Sequence, residues 1–149
     1  VLSIATKLGA LLNGRGISIK YSRTTDTYLS LEERARLANA WGSDLFVSIH
    51  ANSATSSVRG TECYTHPTAN TATKTLSGNI SRAIASKFGI SNRGHKEANF
   101  AVLRLSNMPA ILVETAFISN SSDANLLNTR QADFSVTIAN SILAKKQLI

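Results

Sequence analysis

The chain has 149 residues, a length that suits a single domain with its own hydrophobic core. Its 43% apolar content is ordinary for a globular protein, and no apolar run reaches the roughly 20 residues that cross a bilayer. Sixteen Lys and Arg against nine Asp and Glu give a net charge of +7, which favours polyanionic partners. The single cysteine, Cys63, excludes both an internal disulfide and a thiolate metal cluster.

The apolar and polar patterns predict helices that alternate with strands along the chain. The chain begins inside the pattern of a first helix, which has no start signal of its own and ends at Gly14 and Gly16, residues that suit a C-terminal cap. Ser30 and Glu33 form a capping box that opens a second helix, running to about Trp41. The predicted strands cover residues 17–22, 44–49, 60–65, 100–105 and 110–119, and the further helices residues 68–88, 120–128 and 131–147.

This alternation favours a three-layer α/β domain in which helices cover both faces of one sheet. The short turn at residues 106–109 allows the two strands beside it to pair antiparallel. We therefore expect a mixed, mostly parallel twisted sheet flanked by helices, in one domain that spans residues 1–149.

Two ionisable residues stand out on the predicted strands. The strand at residues 44–49 leads directly into His50, and open α/β sheets keep their chemistry at the carboxyl ends of strands. Glu114 lies in an otherwise apolar strand, where burial is costly unless a metal or a charged group is its partner. Together they suggest a metal-assisted hydrolase. Local sequence alone leaves two other interpretations open: His50 as a satisfied polar residue, and Glu114 as a structural partner of Arg104 on the neighbouring strand.

Several short motifs occur in the order and spacing of a known family. They lie at residues 22–26, 31–34, 38–39, 48–52 (Ser-Ile-His-Ala-Asn), 93–94, 102–104, 108–110, 113–114 and 117–120. With them, the chain closely resembles the catalytic domain of zinc-dependent N-acetylmuramoyl-L-alanine amidases of the Amidase_3 type. The resemblance covers essentially all 149 residues.

The resemblance implies a role for four residues. In the family one zinc is bound by a His at an N-terminal strand end, by a Glu at the start of the next helix, and by the His of the Ser-Ile-His-Ala-Asn motif, which here is His50. The run from Val1 resembles the rest of that helix, so we expect an N-terminally truncated catalytic domain that binds zinc weakly. Glu114 matches the catalytic Glu, while Asn52 and Arg93 are candidates for contacting substrate or stabilising the oxyanion.

The implied reaction cleaves the amide between the lactyl group of N-acetylmuramic acid and L-alanine in peptidoglycan. The expected protein is a monomer that acts outside the membrane or in the cell wall, as an autolysin or an endolysin. Its partners are peptidoglycan and anionic wall polymers. A serine hydrolase is disfavoured because no Gly-x-Ser-x-Gly turn is present, and nucleic acid because the basic residues are scattered and aromatics are few. The alternative from another class is a non-catalytic cell-wall-binding module.

Overall fold

The structure, a computed structural model, describes residues 1–147, with side chains described through Lys145. Its helices are α1 (Leu2–Asn13), α2 (Leu31–Trp41), α3 (Thr71–Phe88), α4 (Ala101–Arg104), α5 (Ser121–Thr129) and α6 (Gln131–Gln147). Its strands are β1 (Phe46–Asn52), β2 (Thr61–Thr65), β3 (Asn92–Glu97) and β4 (Ala110–Phe117). The predicted capping box is present, since the Ser30 hydroxyl accepts a hydrogen bond from the Glu33 amide at 3.1 Å.

The four strands form one sheet in the order β1-β4-β2-β3. β1 pairs with β4, and β2 with β3, in parallel, whereas β2 and β4 are antiparallel. The prediction of a mixed, mostly parallel sheet is therefore confirmed. The antiparallel pair differs from the expected one, because the segment before β4 is not a strand.

Helices cover both faces of the sheet, which confirms the three-layer architecture. On one face, Ile111 and Val113 of β4 belong to the main core with the apolar faces of α1, α3 and α6. On the other face, Ala110 and Leu112 pack with Val102 and Leu103 of α4. Between residues 1 and 147, none of the helices combines the length and apolarity that crossing a bilayer requires.

Two predicted strands are wrong. Residues 17–22 pair with none of the described strands. Their alternating pattern reflects one-sided burial, because Ile17 and Ile19 pack on the main core and the Tyr21 hydroxyl donates to the Thr6 carbonyl at 3.1 Å. Residues 100–105 contain the helix α4 instead of a strand. The prediction failed because an apolar run this short is compatible with one helical turn as well as with a strand.

One strand, β3, was not predicted. Its sequence, Asn-Arg-Gly-His-Lys-Glu, has no apolar residue and interrupts the polar run with a glycine at positive φ, so it carries none of the usual strand signals. It lies at the edge of the sheet, where polar residues are tolerated. Arg93, which lies outside all the predicted helices and strands, is therefore on a strand of the sheet.

Candidate functional site

Three ionisable residues stand side by side across the sheet. His50 of β1 is in register with Glu114 of β4, and Glu114 is in register with Glu62 of β2. Register partners project from the same face of a sheet, so one imidazole and two carboxylates share a single surface. The sheet thus brings together His50 and Glu114, the two residues that the sequence placed on separate strands.

Glu114 is a carboxylate without a compensating partner. Its Oε2 atom is buried and accepts no hydrogen bond from the described residues. Burial, and after it the negative charge of Glu62, raise the pKa of Glu114 to about 7. The expected alternative, a structural pair with Arg104, is wrong: Arg104 lies on α4 and donates to Asn99 instead. Glu114 can therefore exchange a proton near neutral pH.

His50 is held as a neutral, oriented imidazole. Burial, and then the positive charge of Arg34, lower the pKa of His50 below its ordinary value. Its Nε2 atom lies 2.8 Å from the Ser48 hydroxyl, and the Thr115 hydroxyl donates to the His50 carbonyl at 2.7 Å. A neutral imidazole is the form that binds a metal.

Glu62 contrasts with Glu114 because four donors surround it. The Asn52 amide and the Tyr64 hydroxyl donate to Oε1 at 2.7 and 3.2 Å. Arg93 Nε and Lys96 Nζ lie 3.1 and 2.5 Å from Oε2. Burial acts to raise the pKa of Glu62, but the hydrogen bonds from Lys96 and Arg93 outweigh it and hold that pKa below its ordinary value.

Sequence reasoning missed Glu62, although a signal was present. Glu62 is 3% exposed within a strand whose neighbours are also buried. Glu114 was selected because a carboxylate is costly to bury in a strand unless it has a partner, and the same reasoning applies to Glu62. Asn52 and Arg93, the two predicted substrate contacts, both touch Glu62, so the structure brings them together around this carboxylate. Arg93 also covers the Phe117 ring, with 5.1 Å from its guanidinium carbon to the ring centroid.

A third carboxylate, that of Asp123, fixes the loop that connects β1 and β2. Asp123, fully buried, accepts from Arg59 Nε at 3.0 Å and from the amides of Gly60 and Phe117 at 2.9 and 3.0 Å. It therefore ties the start of β2 to the end of β4. Asn120 reinforces the link through its side-chain amide, which donates to the Ser56 carbonyl at 2.9 Å.

The described residues supply one side chain suited to a catalytic zinc. Such sites use three protein ligands and keep one position open. Across residues 1–147, no three His, Cys, Asp or Glu side chains converge as a metal cluster. His50, neutral and oriented, suits one ligand position, and the unpartnered Glu114 Oε2 lies on the same face. These residues alone do not complete a zinc site.

A groove runs along the free edge of β1. It has a volume of about 910 Å³ and is lined by α1, α2, the unpaired residues 16–23 and residues 45–49. Several partly buried apolar side chains face the core beside it, among them Leu45, Val47 and Ile49. Its lining includes Ser48 and Arg34, the two residues that act on His50, so the groove leads towards the candidate site.

The architecture and the site together define an α/β domain that gathers its polar chemistry at one end of a mixed sheet. Comparison with known proteins gives the family. The sequence matches the Amidase_3 profile, described as N-acetylmuramoyl-L-alanine amidase, over residues 1–144. The chain belongs to the Amidase_3 family of N-acetylmuramoyl-L-alanine amidases.

Individual relatives agree with this assignment. The chain is 43% identical over 130 residues to the sporulation-specific N-acetylmuramoyl-L-alanine amidase of Bacillus subtilis, covering 86% of this chain and 50% of the relative. It is 41% identical over 133 residues to an endolysin of Bacillus phage SPP1, covering 85% of this chain and 49% of the relative. The chain thus spans about half the length of these curated relatives.

The fold agrees as well. The crystal structure of N-acetylmuramoyl-L-alanine amidase from Clostridium difficile 630 superposes with a TM-score of 0.92 at 36% identity, covering 98% of this chain and 81% of that one. The Amidase_3 family is generally metal-dependent.

Proposed function

We propose that the protein is a zinc-dependent peptidoglycan hydrolase that cleaves the amide between the lactyl group of N-acetylmuramic acid and L-alanine. The observation that carries this proposal is the unpartnered carboxylate of Glu114, in register with the imidazole of His50. Membership in the amidase family supports the choice of substrate bond. The protein then works outside the membrane on the cell wall, in the manner of an autolysin or an endolysin.

Glu114 acts as the general base. When ionised it takes a proton from the attacking water, and when protonated it gives that proton to the departing amine of L-alanine. A pKa of about 7 suits both steps, because each protonation state is then well populated near neutral pH. His50 would hold zinc as one of its ligands, and the bound metal would supply a Lewis acid for the scissile carbonyl. Asn52 and Arg93, held on Glu62, contact the substrate beside Glu114.

A further strand completes the domain and its metal site. The groove has the outer edge of β1, which pairs with none of the described strands, on one side and the unpaired residues 17–22 on the other, the arrangement that one more strand would fill. Because the groove leads towards His50, such a strand would bring its own side chains beside the imidazole. We place this strand in an N-terminal segment outside residues 1–149, which would supply the remaining zinc ligands.

Two measurements test these proposals. Digestion of purified peptidoglycan should release new amino termini of L-alanine, identified by mass spectrometry, and a chelator should abolish the release. A non-catalytic wall-binding module would sediment with walls but release no amino groups. Residues 1–149 alone should bind zinc poorly, and an N-terminal extension should raise zinc content, amidase activity and melting temperature together. Full activity with stoichiometric zinc in residues 1–149 would show that no further strand is needed.

A further inference from the structure

The carboxylate of Glu62 forms ion pairs with two cationic side chains, although a single one would neutralise its charge. Arg93 and Lys96, both on β3, contact the same Oε2 atom. The cluster of Glu62, Arg93 and Lys96 therefore carries one positive charge in excess. Arg93 is engaged on two sides, by Glu62 and by the Phe117 ring. The excess charge is therefore best assigned to Lys96.

Lys96 is available to a ligand. Its ammonium group has three donors and uses one on Glu62, and its side chain is 38% exposed. Lys96 is in register with Tyr64, two residues along β2 from Glu62, so its side chain stands on the same face of the sheet as Glu114. The Tyr64 ring packs on the partly exposed Phe100 ring, at 4.9 Å between centroids, and gives this end of the surface an aromatic wall.

The distance from Glu114 to this ammonium group suits one part of the proposed substrate. Glu62 lies one strand, about 4.8 Å, from Glu114, and Lys96 Nζ lies beside its carboxylate, so we place the ammonium group about 5–10 Å from the catalytic carboxylate. In a peptidoglycan stem, L-alanine follows the scissile amide and D-glutamate follows L-alanine. With about 3.8 Å between consecutive Cα atoms, the α-carboxylate of the D-glutamate lies about 6–7 Å from the scissile nitrogen.

We propose that Lys96 is a specificity-determining residue that binds the α-carboxylate of the second residue of the stem peptide. The protein therefore prefers stems in which this group is a free carboxylate over stems in which it is amidated. The inference rests on the proposed amidase function, which supplies the substrate and the position of the scissile bond. A charge-assisted hydrogen bond that an amide cannot replace corresponds to a preference of about tenfold or more.

The test compares two substrates that differ in one group. They are the muramyl tripeptide N-acetylmuramoyl-L-alanyl-γ-D-glutamyl-L-lysine and its counterpart with the α-carboxylate amidated. With the full-length, zinc-loaded protein, kcat/KM should be about tenfold higher for the free carboxylate. Lys96→Met should bring the ratio of the two kcat/KM values to about one, and Lys96→Arg should keep the preference. Far-ultraviolet circular dichroism establishes that each variant is folded.

Lys74→Met is the matched control. Lys74 also pairs with a carboxylate, Glu97 on β3, at 3.1 Å, and its side chain is similarly exposed at 31%. Its loss should leave the ratio unchanged. Equal cleavage of both substrates by the wild type, or an unchanged ratio in Lys96→Met, would overturn the selectivity while leaving the amidase function standing. Cleavage of neither substrate would overturn the proposed function, and this inference with it.

Discussion

Two glutamates in register on neighbouring strands have opposite environments. Glu62 accepts hydrogen bonds or ion pairs from four side chains, and its pKa lies below the ordinary value. Glu114 leaves one oxygen without a partner among the described residues, and its pKa rises to about 7. Burial opposes the charged form of both groups, so the neighbours decide the difference. A permanently charged carboxylate can organise other side chains, while a carboxyl group that titrates near neutrality can move protons.

The largest effect should come from removing the titrating carboxylate. Glu114→Gln should lower amidase turnover by about a hundredfold or more, because general-base contributions have that size. Zinc content and circular dichroism should stay as in the wild type. Glu97→Gln, which alters a solvated carboxylate on β3, is the control and should retain activity. Near wild-type hydrolysis by Glu114→Gln would mean that Glu114 is structural.

Replacing each of the two glutamates by glutamine should change the free energy of unfolding in opposite directions. Folding raises the pKa of Glu114, so the wild type loses stability as pH rises from about 4, where the unfolded carboxyl titrates, to about 7. Glu114→Gln should therefore be more stable than the wild type at pH 8, by about 2 kcal/mol once solvent screening of this partly buried group is taken into account. Glu62→Gln should be less stable by about 1–3 kcal/mol, because it weakens the hydrogen bonds of Arg93 and Lys96.

Urea unfolding of the metal-free proteins at pH 4 and pH 8 measures both effects. The advantage of Glu114→Gln should nearly vanish at pH 4, where the wild-type carboxyl is protonated in the folded state and for the larger part also in the unfolded state. A change of the same sign in both variants at pH 8 would contradict the contrast between the two environments.

These two glutamates also show how far sequence can predict a site. Glu114 was identified because its strand is otherwise apolar, and His50 because an apolar strand ends at it. Glu62 was missed because its strand, Thr-Glu-Cys-Tyr-Thr, is largely polar in sequence, and its threonines are buried only once α3 and β4 cover them. The donors of Glu62 come from β1, β2 and β3, so its role depends on pairing between distant segments.

The same division holds for the fold. β1, β4 and the longer helices follow from apolar periodicity and capping residues, which are local properties. The polar edge strand β3 is stabilised by its pairing with β2, and no local sequence pattern predicts it. Residues 17–22 have the alternation of a strand but pack one-sidedly on the core, and periodicity alone cannot tell these two environments apart.

A smaller effect should appear in the pH profile. After burial, the charge of Glu62 is the second cause of the raised pKa of Glu114. Glu62→Gln should therefore move the acid limb of kcat/KM to lower pH, by up to about one unit, since an ionised base is then available earlier. Glu97→Gln should leave the limb in place. An acid limb that does not move would show that the two carboxylates do not interact.

The two glutamates should differ least in their effect on binding to intact walls. The net charge of +7 is spread over the surface, and attraction to anionic wall polymers is screened beyond about 8 Å at physiological salt. Cosedimentation should therefore weaken with rising salt in the wild type and to the same degree in Glu114→Gln and Glu62→Gln. Wall binding that does not depend on salt would indicate a specific binding pocket instead of a general electrostatic attraction.

The register between β1 and β4 has a consequence for the protein during its synthesis. His50 and Glu114 are 64 positions apart in the sequence, and the two strands between them in the chain, β2 and β3, join the sheet on the far side of β4. While β4 is still inside the ribosome, the part of the nascent chain that has emerged contains the imidazole of His50 but not the carboxylate of Glu114. Pairing at this separation is late in folding, because distant segments must first meet. The proposed catalytic site is therefore incomplete until the sheet has closed.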